Sequence, residues 1–231
     1  MFITTFAGTK ERYKPIKKET TAKKKTHPLK TIKILCRNKY FILITLAFAV
    51  IYTSLGLTGG SRIYYAKYVL GDEMLNSTMT MFNYIPTILT IMLIPVFTKR
   101  FGKIKALFVG FLFYAAGLVL EIAGPVNLPM IYTGLVLQGI GHAALYSCLF
   151  AIVGDVVDYS EWKDGIREEG ITYSVTSFGQ KIGTGLGTAA LGWILAAGHY
   201  DGTAAVQSAS AIFPIKGLFL YLPLVITVIV L

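Results

Sequence analysis

Charge is scarce in this chain. Asp, Glu, Lys and Arg make up 15% of its residues, against about a quarter in a soluble domain. With 54% hydrophobic residues and a mean hydropathy of +0.61, that shortage argues against a water-soluble globule and for a bilayer. Cysteine is nearly missing as well. Cys36 sits in a basic flank and Cys148 in an apolar run, so neither a disulfide framework nor a thiolate metal site is expected. There is no secretory leader pattern, because "MFITTFAGTKER" has too short an apolar run and no basic start. No nucleophile with a base, no metal-ligand cluster and no phosphate-binding loop is evident, which argues against an enzyme and leaves no resident cofactor to expect. Two-residue alternation of apolar and polar positions is lacking too, which excludes a porin-like barrel.

What is present is a series of long apolar runs. A spanning helix needs about twenty predominantly apolar residues, and six stretches qualify: 40–60, 79–97, 106–122, 128–153, 171–197 and 212–231. Basic residues are distributed unevenly around them. Twelve of the 22 Lys and Arg fall between Lys10 and Lys39. That block, with few aromatics and a span directly after it, reads as a flank attracted to anionic head groups rather than a nucleic-acid surface. Counting the turn at 98–105 and the connection at 154–170, eighteen basic residues lie on one side and three on the other. The positive-inside rule then predicts a cytoplasmic N-terminus. Met1 to Ala7 reads as the tail of an earlier apolar segment and Leu231 ends within one, so a piece of a longer membrane protein is expected.

Three groups of residues stand out. In the fifth run, Ser174, Ser177, Lys181, Thr184 and Thr188 fall on one helical stripe, and Gly179, Gly183 and Gly187 on a neighbouring one. Glycine at that spacing lets another helix approach closely. Lys181 lies about 15 Å along the helix from either end of its run; a charge at that depth marks a functional position. In the fourth run, Gln138, His142 and Tyr146 share a face, which serves either as packing or as a cavity wall where Tyr146 stacks on a sugar ring. The third group is "GDVVDYSEWKDGIREEG" at 154–170, a connection with six of the twelve acidic residues plus Lys163 and Arg167. It reads either as a solvated loop or as a charged latch that pairs when a cytoplasmic opening closes.

The stretch "GDVVDYSEWKDGIREEGITYSVTSFGQKIGTGLG" resembles the glycoside–pentoside–hexuronide:cation symporters of the major facilitator superfamily. The likeness rests on Asp155, Asp158, Tyr159, Glu161, Lys163, Arg167, Tyr173, Ser174, Val175 and Lys181, with Ser160 where the family usually has glycine. "YYAKYVLGD", "NKYF", "TKERY" and "GHYDGTAAVQS" extend it along the chain.

The resemblance implies an all-α membrane fold, the C-terminal half of a twelve-helix facilitator. Residues 1–39 would be the end of a preceding helix plus the basic central cytoplasmic loop, and 40–231 a six-helix domain. It implies a multi-pass plasma-membrane protein that carries a sugar with Na⁺ or H⁺, partnered by the lipid bilayer and a missing N-terminal half. The substrate site would lie between the halves. It places Lys181 and Ser177 of the fifth helix and Tyr146 of the fourth at that site; helical spacing adds Thr184 on the fifth helix and Gln138 and His142 on the fourth as candidates. Tyr146 stands where a family member has Trp. Asp155, Asp158, Glu161 and Arg167 would gate it. The alternatives are a facilitator for a lipid or another non-sugar solute, or a membrane module that transports nothing.

Overall fold

The computed structural model describes residues 38–165, 167, 169–204 and 206–230. The basic block up to Arg37, expected to be a cytoplasmic loop after a helix end, lies outside the described residues. The rest is helical: α1 (Lys39–Tyr68), α2 (Leu75–Phe101), α3 (Lys103–Ala123), α4 (Leu128–Asp164), α5 (Glu169–Ala197) and α6 (Ala209–Val230). Five of these, all but α5, are long and apolar enough to cross a membrane. Length is not what separates α5, since it runs 29 residues; its hydroxyls, glycines and lysine dilute its apolar character.

Helix ends follow local chemistry. The Asn38 side chain accepts from the Tyr40 amide at 3.0 Å, and Asn127 accepts from Met130 at 3.3 Å, each satisfying an amide the helix leaves free. Gly102, at φ 85°, makes the whole connection between α2 and α3, a left-handed turn that glycine adopts without strain. Within α6, Pro214 lacks the amide that would donate to the preceding turn, and a π-helical segment follows at Gly217–Tyr221.

The helices extend beyond the apolar runs, because a helix continues through polar residues once its backbone bonds are made. The largest departure is α4. The connection expected over 154–170 is helical as far as Asp164 and closes at Gly165, φ 65°. The expected loop is therefore mainly an extension of α4, with α5 beginning at Glu169.

Packing is by pairs: α5 along α1, and α4 against both α3 and α2. Between helices in lipid, apolar burial offers little driving force, so close backbone approach and hydrogen bonds must hold the bundle. Both are present. Gly179, Gly183 and Gly187 are buried on α5, and a Cβ added at Gly179 would stand 3.1 Å from the Thr45 carbonyl oxygen of α1. The glycine stripe thus faces α1, giving the close helix approach that its spacing predicts. Across α2 and α4, Asn83 Nδ2 donates to the Leu135 carbonyl at 3.1 Å and Thr87 Oγ1 to that of Gly139 at 3.0 Å. One apolar cluster, around Tyr65, Leu135 and Phe219, sits toward the α1 C-terminus; another, around Phe48, Leu145 and Val153, sits toward its start. Leu89, Met92, Leu93 and Val96 on α2 are exposed, which suits a surface bathed in lipid.

Candidate functional site

Because the glycine stripe of α5 is pressed onto α1, the polar stripe beside it is turned outward. Ser174, Lys181, Thr184 and Thr188 are exposed and Ser177 is half-buried. An open concavity of about 410 Å³ is lined by Tyr173, Ser174, Ser177, Phe178 and Lys181. Lys181 lies twelve residues from the start of α5, about 18 Å at helical rise. It takes part in none of the ion pairs found among the described residues. Thr184 and Thr188 donate back to carbonyls of their own helix, at 3.0 and 2.9 Å. What remains is a cation and several small polar groups on an open face, with no anion paired to the cation among the described residues.

The α4 trio does not join this face as one unit. Tyr146 is half-buried and stacks on His142, ring centroids 5.7 Å apart at 24°. His142, expected on a cavity wall, is 6% exposed and also meets Tyr114 of α3 at 4.9 Å. Gln138 is 1% exposed. The close approach of α3 to α4 explains this enclosure: the Gly141 position packs on the Gly110 carbonyl and Tyr114. A small cavity of about 20 Å³, lined in part by Ser54, Tyr114, His142 and Thr227, adjoins the ring.

Sequence reasoning missed the residues that complete this interior. Arg62 of α1 is 7% exposed and Glu121 of α3 is fully buried. Arg62 Nη1 donates to Thr80 Oγ1 at 3.3 Å. Arg62 Nε, both Glu121 carboxylate oxygens, Gln138 Nε2 and His142 Nε2 have no hydrogen-bond partner. The signal was there: "GLVLEIAG" carries a lone acid in an apolar run, and an ionisable residue inside a span marks function. Arg62 had been counted only for its charge.

At the end of α4 that meets α5 the acidic residues are engaged. Arg167 binds Asp158 at 3.0 Å, Glu161 at 2.5 Å and Glu169 at 2.6 Å, all exposed. Those carboxylates hold the guanidinium above its ordinary range. Asp155 instead pairs with Lys103 at 2.6 Å, joining the start of α3 to α4, and Lys103 also donates to the Ala151 carbonyl at 3.2 Å. The four expected gating residues therefore form two separate clasps, one across the α4–α5 break and one between α3 and α4. Ser160, the departure from the resembled pattern, has a structural role: its hydroxyl accepts from Asn38 Nδ2 at 2.9 Å and donates to the Val156 carbonyl at 2.9 Å. That ties the start of α1 to α4, and a glycine there would lack the bond.

Comparison with known proteins identifies the family. The chain matches the family described as MFS/sugar transport protein over residues 1–231. It is 32% identical to the isoprimeverose transporter of Lactiplantibacillus pentosus, covering 97% of this chain and 46% of that protein. It is 30% identical to the "Putative 2,3-dihydroxypropane-1-sulfonate exporter" of Salmonella typhimurium, over 97% of this chain and 48% of the relative. A third relative, the glucuronide carrier protein homolog of Escherichia coli, is 28% identical over 74% of this chain and 38% of its own length. The chain thus spans about half the length of the curated relatives it matches.

Proposed function

Since this chain belongs to the MFS/sugar transport protein family, whose members are transporters and not enzymes, we propose that it forms the C-terminal half of a twelve-helix symporter. In this reading α1 to α6 are all membrane-spanning, residues 1–39 are the end of a preceding helix and the central cytoplasmic loop, and the N-terminus faces the cytoplasm of a plasma-membrane protein. The transported solute is a glycoside, pentoside or hexuronide, and the driving ion is Na⁺ or H⁺. The observation that carries this is the outward polar face of α5. Lys181 and the hydroxyls beside it form an open concavity within a helix otherwise packed onto α1, and such a face requires a polar partner in the bilayer.

That partner would be the N-terminal half. Lys181 would answer acidic groups across the interface, and its charge would make loss of the coupling cation tolerable in the empty state. Ser177 and Thr184 would contact the sugar from α5 and Tyr146 from α4. Gln138 and His142 would act from beneath, by fixing Tyr146 rather than by touching solute, because they are enclosed. The clasps at Arg167 and Lys103 would open and close as the halves rock.

The names of the relatives leave room for one other solute class, since two of them are described as putative exporters of a sulfonate. Uptake of a labelled glycoside into vesicles under an imposed Na⁺ or H⁺ gradient tests the proposal. Gradient-driven accumulation, competed by unlabelled glycosides and hexuronides, is the expected result. Competition by a sulfonate but by no sugar would transfer the reading to the other class, and no gradient effect would remove coupling.

A further inference from the structure

The buried polar cluster between α1, α3 and α4 is separate from the Lys181 face. Glu121 is two residues from the end of α3, and Arg62 six residues from the end of α1, so the cluster lies near the extracytoplasmic side in the orientation proposed above. A carboxylate in lipid-embedded protein is tolerable when donors or a cation satisfy it, and costly when they do not. Glu121 has 0% exposure and, among the described residues, neither oxygen holds a hydrogen bond of ordinary geometry, although the Gln138 side chain interacts with the carboxyl as a donor. Arg62 makes no ion pair with it and bonds Thr80 instead. Arg62 nonetheless keeps one donor, Nε, unused.

The groups around Glu121 are few. Arg62 and Tyr65 face it from α1, Tyr114 from α3 itself and Gln138 from α4. Tyr84 of α2, Tyr114 of α3, and His142 and Tyr146 of α4 lie near enough to Arg62 to interact with its charge, and Tyr221 of α6 does so with Tyr65. Among the described residues of this shell Arg62 is thus the one permanent cation, and Glu121 the one acid. Tyr65 gives its hydroxyl to the Pro125 carbonyl, which holds the loop after α3 against this end of the cluster.

We propose that Glu121 is a proton-binding site within this half, filled from the extracytoplasmic side, with Arg62 the cation that neutralises it once the proton has left. On uptake a proton from water forms a bond to one Glu121 oxygen; on release that bond breaks, the proton returns to water, and the Arg62 guanidinium turns from Thr80 toward the carboxylate. No other reactant is needed. The inference rests on the transport reading for the use made of the proton, not for the site.

Infrared absorption of the carboxyl C=O group tests it, on the protein as the cell makes it, purified into lipid nanodiscs and titrated without sugar. The wild type should show a protonated-carboxyl band that diminishes as pH rises. Glu121→Gln should lack the band and Lys181→Ala should keep it. Spectra that superimpose for wild type and Glu121→Gln at every pH would overturn the proposal. Should Glu121→Gln fail to fold, as judged by sizing, Glu121→Asp should move the band, and an unmoved band is equally fatal. A titrating band in a protein that moves no sugar keeps the site and removes the symport reading. Gradient-driven sugar uptake with no titrating band does the reverse.

Discussion

The α5–α1 contact yields the sharpest prediction, because two glycines on one helix should respond oppositely to the same substitution. At Gly183 an added Cβ would stand 3.1 Å from both the Cα and the carbonyl carbon of Ala49, and closer still to its oxygen. Those are backbone atoms and cannot rotate away. At Gly185 a Cβ meets nothing within 4 Å. Both changes to Ala gain helix propensity, about 1 kcal/mol each. Only Gly183→Ala incurs overpacking, about 1–3 kcal/mol. The propensity term cancels in the comparison, so Gly183→Ala should be less stable than Gly185→Ala by about 1–3 kcal/mol. For a chain of this size that corresponds to roughly 2–4 °C of melting temperature per kcal/mol. Cys148 provides the reporter, being free and 1% exposed. In a Cys36→Ser background, a thiol-reactive dye brightens when heating opens the bundle around it. Equal melting of the two variants would refute glycine-mediated packing of α5 on α1.

Other contacts make further predictions. Removing either end of the buried Asn38–Ser160 bond should cost about 1–3 kcal/mol, and the double variant should cost less than the sum of the singles; additive losses in thermal unfolding would mean the bond contributes nothing. Arg167→Gln should leave melting nearly unchanged, since its three partners are exposed, while shifting the inward–outward balance read by cysteine accessibility on both faces; an unshifted balance would reduce the clasp to a solvated turn. In the loop before α6, Asp201 accepts from the Thr203 amide at 2.9 Å and hydroxyl at 2.7 Å, which holds its carboxyl below the ordinary range. Its support for the loop is therefore complete above the normal Asp range and is lost as pH falls through the lowered value. Hydrogen exchange at Thr203 should be faster in Asp201→Asn at neutral pH and should match the wild type in strong acid; a gap that widened in acid would contradict the sign.

Much of the bundle was legible because lipid imposes one rule: every span must be a continuous helix with its polar groups satisfied. Apolar run length located the helices, and three glycines four residues apart marked a close-packing stripe on α5, though not which helix it would meet. Boundaries were less legible, and the reason is visible at α4. Polarity marks where the bilayer ends, while a helix ends where capping and chain geometry stop it, here Gly165 in a left-handed conformation. The exposed stripe with Lys181 followed from wheel spacing. The burial of Gln138 and His142 did not, since one wheel cannot say whether α3 or open space lies opposite. Arg62 and Glu121 were overlooked for a different reason: each is solitary in its own run, and only the folded chain brings them together from α1 and α3.

The central claim is that the α5 face, through Lys181, couples ion to sugar across an interface with another half. Sugar uptake driven by an ion gradient, measured in the full transporter with and without Lys181→Ala, tests it most directly. The account predicts that the variant reaches the membrane and folds yet loses gradient-driven accumulation. Ion-driven accumulation equal to that of the wild type would contradict it.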